Sequence, residues 1–323
     1  MLDFIGVGSP LIDRLANVSD AWLETIPGAK GGMELIDSAG MTDLVTQLPA
    51  TPTSAAGGSA ANTTYGLARL GISTSFLGKL GKDEDGALYT DIFDRAGVNC
   101  DRFKHSADTP TGQCICLVTP DSERTMRTYL GAAMTLSPDE VDVEDFVGCR
   151  HAHIEGYVLF NRELTQQVLK SAKAAGCTIS LDLASFEVVQ ANKDILDSIL
   201  TDYVDIVFAN EDEAKAYCGS DDPKDGLAAL SQHCHTVAVK VGKEGAWLHR
   251  GHEVVHVPAN IVDAIDTTGA GDLWAAGFLY GIFTNKDLAT CGRYGAMTGA
   301  EVVQVMGASI QDQTWESLKT ALA

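Results

Sequence analysis

The stretch "IDTTGAGDLWAAGFLYG", residues 265–281, sets two glycines and an alanine between two aspartates and then turns apolar. Gly269, Ala270 and Gly271 carry little or no side chain, so the backbone there can approach a ligand and leave its amides bare, while the run from Leu273 to Phe278 reads as a buried helix. The pattern is that of an anion site at a helix start with a carboxylate, Asp272, standing in it. A first-turn acid is favoured by the helix dipole, but an anion bound at the same turn repels it. The pairing asks what lies between the two.

Outward from this stretch, short apolar runs at 4–8, 73–78, 152–159, 178–183, 205–210 and 236–241 alternate with helix-like segments at 59–70, 83–96, 161–175, 211–218 and 224–233. Strand, helix, strand at that spacing predicts parallel βαβ units: an α/β fold with a doubly wound, mainly parallel sheet covered by helices on both faces. Two regions break the rhythm. Residues 11–18 and 30–37 read as short strands on either side of a turn, and "TGQCICLV" (111–118) with "RTMRTYL" (124–130) reads as a hairpin around a Pro-Asp turn. Their polar alternation predicts a small sheet with one wet face, built from about 11–50 and 108–131, that covers the strand C-termini as a lid. With no repeat, charge block or linker, residues 1–323 read as one domain.

A chain of 323 residues with 45% hydrophobic content supports a sizeable core. Lys plus Arg total 23 against 44 Asp plus Glu, a formal net charge of -21, which opposes partnership with nucleic acid or an anionic membrane. An anionic small ligand then needs local amides and a cation, and Mg²⁺ is the natural recruit. The eight cysteines are scattered without a CxxC pair and read as free thiols of a cytoplasmic protein. "MLDFIGVGSP" has no basic n-region, and the longest apolar run, 273–285, is too short for a bilayer.

Four further stretches each allow a plain and a chemical reading. In "AAGGSAANTTYGLARLG" (55–71), Gly57 and Gly58 are either a turn with Ser59 capping a helix, or a close approach to a ligand whose hydroxyls Asn62 grips. In "GVGSPLID" (6–13) a dinucleotide fingerprint fails because its third glycine falls on Leu11, and Asp13 either caps a turn or accepts from two vicinal hydroxyls. "FANEDEAKAYCG" (208–219) places Asn210 and Glu213 as a capping box or, beside a phosphate, as holders of the water shell of Mg²⁺. "VAVKVGKEGAWL" (237–248) ends a strand at Lys240 and passes through Gly242 and Gly245, as a hairpin turn or as backbone laid along a nucleotide. His151/His153 and His233/Cys234/His235 lack a second matching pair for zinc, and "GKLGKD" (78–83) lacks the first glycine and the Ser or Thr of a Walker A loop.

Together, GGSAAN at 57–62, NEDE at 210–213, the glycine turn at 242 and DTTGAGD at 266–272 resemble the ribokinase, or PfkB, family of carbohydrate and nucleoside kinases over essentially the whole chain. The resemblance implies a ribokinase-like sheet, a small β lid over the acceptor, and ATP-dependent phosphorylation of a primary hydroxyl. It implies Gly269, Ala270 and Gly271 as the anion hole for the transferring phosphoryl group and Asp272 as base, with the acceptor hydroxyl between them. Asp13, Gly57, Gly58 and Asn62 would then meet the acceptor. Lys240, Gly242 and Gly245 would meet the nucleotide, Asn210 and Glu213 would organise Mg²⁺, and Asp266 and Thr268 would offer oxygens to a monovalent cation such as K⁺. "GSPLID", "PTGQCICLVT", "IEGYVL" and "VDIVFANEDEA" are similar to the adenosine kinase branch, although Ser9 stands where that branch usually has Asn. The expected acceptor is therefore a nucleoside, adenosine first, with Ile115, Leu117 or Met126 burying the purine. A free sugar such as ribose or fructose is the second reading, and a non-catalytic sugar- or nucleoside-binding homologue the third. Lids of this family occur solitary or paired, which implies a monomer or a homodimer.

Overall fold

The computed structural model describes residues 2–121 and 123–322. The apolar runs form a nine-stranded sheet in the order Glu253–Val257, Ala246–Arg250, Thr236–Lys240, Ile206–Asn210, Thr178–Asp182, Cys149–Glu155, Leu2–Val7, Thr74–Leu77 and Val98–Asn99. Pairing is parallel from Thr236–Lys240 through to Val98–Asn99, and the other two strands close one edge antiparallel. The parallel strands lack polar alternation because both faces are covered. Ile5, Val7 and Val207 pack into a core with the helices Arg162–Ala174 and Lys193–Tyr203, whereas Phe4 and Phe208 pack into another with Ser59–Arg69, Ala270–Phe283 and Leu288–Val302.

Small residues after Asp272 let helices approach. Gly277 lies against the Tyr294 carbonyl and Thr298, and Gly281 against Cys291, so Ala270–Phe283 rests closely on Leu288–Val302. On its other side Leu273 and Ala276 fill the space at Gly66 of Ser59–Arg69. Any added side chain there would separate the helices and shift Asp272 with them.

A second sheet has five strands, in the order Met33–Leu35, Arg124–Tyr129, Gly112–Val118, Leu11–Asn17 and Thr53–Gly57. The hairpin around Pro120-Asp121 forms as expected, but the strands read at 11–18 and 30–37 are not neighbours. Met33–Leu35 pairs with Arg124–Tyr129, a short helix Asp20–Leu23 intervenes, and the edge beside Leu11–Asn17 is taken by Thr53–Gly57. That last strand, Thr-Ser-Ala-Ala-Gly, has too little β-branched or aromatic character to announce itself.

Strand parity then sorts the side chains. One face carries the cross-strand row Ala55, Asp13, Cys114, Thr128 and Leu35, followed by the row Leu15, Cys116, Met126 and Met33. The opposite face carries Ala16, Ile115 and Leu117, packed with Leu23, Met41 and Leu44 from Asp20–Leu23 and the helix Ser38–Gln47. The expected wet face is thus roofed by helices. Ile115 and Leu117 are turned away from the cleft because alternation allows them no other side.

Candidate active site

Glu155, Asp182, Asn210 and Lys240 are each the last residue of a parallel strand, so the register brings them together along the C-terminal edge of the large sheet. Above that edge the helix Ala270–Phe283 starts from Gly269, whose φ of 70° is left-handed and suits glycine. The Ala270 amide is spent on the Thr267 carbonyl at 3.1 Å, whereas among the described residues the amides of Gly269, Gly271 and Asp272 have no partner. Lys240 Nζ stands 3.0 Å from the place a Cβ on Gly271 would occupy. Lys240 thus stands beside a helix start whose Gly269, Gly271 and Asp272 amides are bare, while that of Ala270 is bonded.

The Asp272 carboxylate accepts from Ser59 Oγ at 2.8 Å and from Asn62 Nδ2 at 2.9 Å, and its carbonyl accepts from Thr63 Oγ1 at 3.0 Å. Three residues among the first five of one helix thus hold the acid. The helix Ser59–Arg69 is capped by Gly58, at φ 106° and without a side-chain bond, so Ser59 is not the cap that the sequence indicated. Its hydroxyl serves Asp272. Asn62 likewise binds this carboxylate directly. Burial pushes the Asp272 carboxyl up to about 6, opposed by Asn62, Ser59 and Lys240 and reinforced by Asp182.

Asp13 faces the same space from the small sheet, with no donor on its carboxylate among the described residues. Enclosure pushes it up to about 8, helped by Cys116, Asp272 and Asp266 and opposed by Arg124. Gly57 lies directly against this carboxylate, where any Cβ would collide with it. Glu155, unassigned from the sequence, accepts the Ser9 amide at 2.8 Å and the Ala60 amide at 3.2 Å, and burial pushes it up to about 7. It pins the turn after the first strand to the start of the Ser59 helix. Asp182, also unassigned, accepts from Lys240 Nζ at 3.0 Å. The signal for both was an acid closing an apolar strand.

Asn210 and Glu213 form the full capping box. Asn210 Oδ1 accepts the Glu213 amide, and the Glu213 carboxylate accepts both the Asn210 amide and Asn210 Nδ2, each at 2.8 Å. Burial and then Asp182 push Glu213 up to about 7 against the pull of Lys240. Asp182, Glu213 and Asp272 thus crowd around the single ammonium of Lys240. That surplus of negative charge fits a divalent cation. Among the described residues no cluster of His, Cys, Asp or Glu is spaced to grip a metal alone, so the fit is to a cation held largely through water and phosphate.

Gly242 and Gly245 flank the turn between the antiparallel strands Thr236–Lys240 and Ala246–Arg250, with φ of 52° and 101°. They also wall a cleft of about 630 Å³ shared with Asn210, Lys240, Ile261 and Gly271. The turn and the cleft wall are the same residues.

Asp266 and Thr268 lie together in the loop before Gly269. Asp266 Oδ1 accepts from Arg124 Nη1 at 2.8 Å, the Thr268 amide at 2.9 Å and Thr268 Oγ1 at 2.8 Å, and its Oδ2 accepts the Gly307 amide at 2.7 Å. Four donors, one of them a guanidinium, thus converge on the Asp266 carboxylate. His151 and His153 are buried against Thr178 and Ser180, and their pKa values are lowered by burial, as structural histidines. Among the described residues no helix is long and apolar enough to cross a membrane.

The family model described as pfkB family carbohydrate kinase matches residues 31–315. The chain belongs to the pfkB family. The crystal structure of adenosine kinase from Sinorhizobium meliloti is similar at 31% identity and TM-score 0.88, with 99% of each chain covered. That of a probable sugar kinase from Rhizobium etli is similar at 31% identity and TM-score 0.88, covering 100% of this chain and 99% of its own. An uncharacterized sugar kinase of Archaeoglobus fulgidus is 30% identical over 243 residues, 75% of this chain and 96% of that protein. PfkB kinases are phosphotransferases acting on hydroxyl groups of sugars or nucleosides, and this chain is one of them, with the α/β sheet that its strand alternation implied and the ribokinase-like fold that the resemblance implied.

Proposed function

We propose that this PfkB kinase transfers the terminal phosphoryl group of ATP to the 5′-hydroxyl of a nucleoside, with adenosine as the leading acceptor. The observation that carries a nucleoside over a free sugar is the cleft-facing side of the small sheet. There Asp13 is the lone carboxylate in two rows otherwise made of Ala55, Leu15, Cys114, Cys116, Met126 and their neighbours, and Met33 and Leu35 at the edge are 51% and 62% exposed. A sugar bearing hydroxyls all round would leave some of them unpaired on such a surface, whereas a nucleoside offers vicinal hydroxyls to Asp13 and an apolar ring face beside it. On this reading Met126, Met33 and Leu35 would bury that ring, since they share the face of Asp13 and Ile115 and Leu117 lie on the other.

In this reading the small sheet is a lid that excludes water from the cleft. Ser59 and Asn62 hold Asp272 so that its ionised carboxylate takes the proton of the acceptor hydroxyl. The Gly269, Gly271 and Asp272 amides and Lys240 Nζ receive the charge on the transferring group. The acceptor oxygen lies between acid and anion, which answers the pairing that the motif posed. Gly242 and Gly245 would present backbone to the nucleotide, and Asn210 and Glu213 would hold the divalent cation through water. Bound Mg²⁺ supplies neutralisation of the phosphate charge.

Direct competition between adenosine and ribose at equal concentration, read by product analysis, tests the proposal. The expected result is adenosine ahead by more than about tenfold. A preference for ribose or fructose would assign the protein to the sugar acceptors and leave the role of Asp272 intact.

A further inference from the structure

Arg124 belongs to the hairpin of the small sheet, yet its guanidinium is bound to the motif loop of the large one. Nη1 donates to Asp266 Oδ1 at 2.8 Å, while Nη2 donates to Cys116 Sγ on the neighbouring strand at 2.9 Å. The two charged side chains are 15% and 2% exposed, so solvent and salt screen the pair little. Asp266 in turn fixes the amide and hydroxyl of Thr268, the residue before Gly269, and the amide of Gly307. The turn that bares the Gly269 and Gly271 amides is therefore organised around a carboxylate whose only cationic partner among the described residues comes from the small sheet. Without that partner Asp266 would be a buried, uncompensated charge.

We propose that Arg124 is a positioning residue, the resident cation of the anion-hole loop, which completes the loop when the lid is seated and removes any need for a monovalent metal ion. The inference rests on reading Gly269–Gly271 as the anion hole. Arg124 acts through Asp266 and touches no reacting atom.

The full chain is to be assayed with MgATP and its preferred acceptor in buffers whose sole added monovalent cation is K⁺, Na⁺ or choline. Wild-type kcat is expected to agree within about twofold across the three, whereas Arg124→Ala should lose roughly 30-fold or more in kcat with each KM held within about threefold. Added K⁺ or millimolar guanidinium should restore part of that loss, and Arg124→Lys should stay within about tenfold of wild type, because it keeps the charge but not the planar fork. Three results would each overturn the proposal: a wild-type rate that collapses when choline replaces K⁺, an Arg124→Ala variant with unchanged kcat, or a slowed variant that neither cation restores. Should Arg124→Ala not fold, the wild-type ion series and Arg124→Lys still decide. Failure of the phosphotransfer-site reading to which the anion hole belongs would show separately, as a small effect of Asp272→Asn, which removes the base and leaves the loop amides in place.

Discussion

At the proposed acceptor end of the cleft Asp13, Glu155 and Asp272 are enclosed carboxyls lifted to about 8, 7 and 6, while at the proposed nucleotide end Gly242, Gly245 and Ile261 offer backbone and small or apolar surface. Lys240 stands at the border. The first end holds groups that are costly to bury and therefore demand a matching partner; the second offers shape and amides that many anionic ligands could use. In the proposed function, discrimination and chemistry belong to the first end, and grip on the cosubstrate to the second. Substitutions should separate accordingly.

The strongest test is Asp272→Asn, which keeps size and hydrogen bonding but removes the base. It should lower kcat by roughly 10²–10⁴ with little change in nucleotide affinity. Because the ionised form is the active one and burial raises its pKa to about 6, wild-type kcat/KM should fall as pH drops through that value. A loss under about tenfold in steady-state kinetics would remove Asp272 from its role.

Asp13→Asn comes next. It should cost the acceptor kcat/KM at least about tenfold, roughly 1.4 kcal/mol, with the KM for ATP unmoved. Equal movement of both constants would dissolve the distinction between the two ends. At the border, Glu213→Gln should raise the Mg²⁺ needed for half-maximal rate about threefold or more and leave acceptor KM alone, as a Mg²⁺ titration would show.

The smallest effect concerns stability. Asp13 is raised in the folded state, so the fold binds its proton more tightly than the unfolded chain does, and the group's contribution is lost as pH climbs from about 4 through about 8. Asp13→Asn abolishes that loss. Thermal melts of the ligand-free protein should place the variant a few degrees above wild type, roughly 2–5 °C, at pH 8 and level with it near pH 4. A constant offset at all pH values would mean that Asp13 does not titrate as its enclosure requires.

Legibility from the sequence followed the range of the interactions. Parallel strands announced themselves as unbroken apolar runs, and Asp272 stood out because an acid among glycines is locally odd. Thr53–Gly57 did not, since its five small residues become a strand only through pairing with Leu11–Asn17. The orientation of Ile115 and Leu117 depended on Ser38–Gln47, a helix whose packing partner is distant in sequence. Glu155 and Asp182 looked like ordinary strand-end acids, and only the strand order set them beside Ser9, Ala60 and Lys240. The pair between Arg124 and Asp266 joins residues 142 apart, beyond the reach of any local pattern.

The helices over the back of the small sheet have a mechanical consequence. Leu44, Ile115, Leu117 and Met41 form a core that belongs to this sheet alone, separate from those that flank the large one. A plate with its own interior keeps its ladder and its roof when it leaves the surface beneath it. In the proposed reading, opening costs the contacts along its rim, such as Arg124 to Asp266 and Leu15 beside Gly307, together with the packing of Ile12 and Ala56 against Phe76 and Phe93 and the pair of Arg14 with Asp85, and turns on chain crossings near the positive-φ residues Gly58 and Gly131. In hydrogen exchange such a plate moves as a single cooperative unit, its amides surrendering protection together instead of fraying inward from the edge strands.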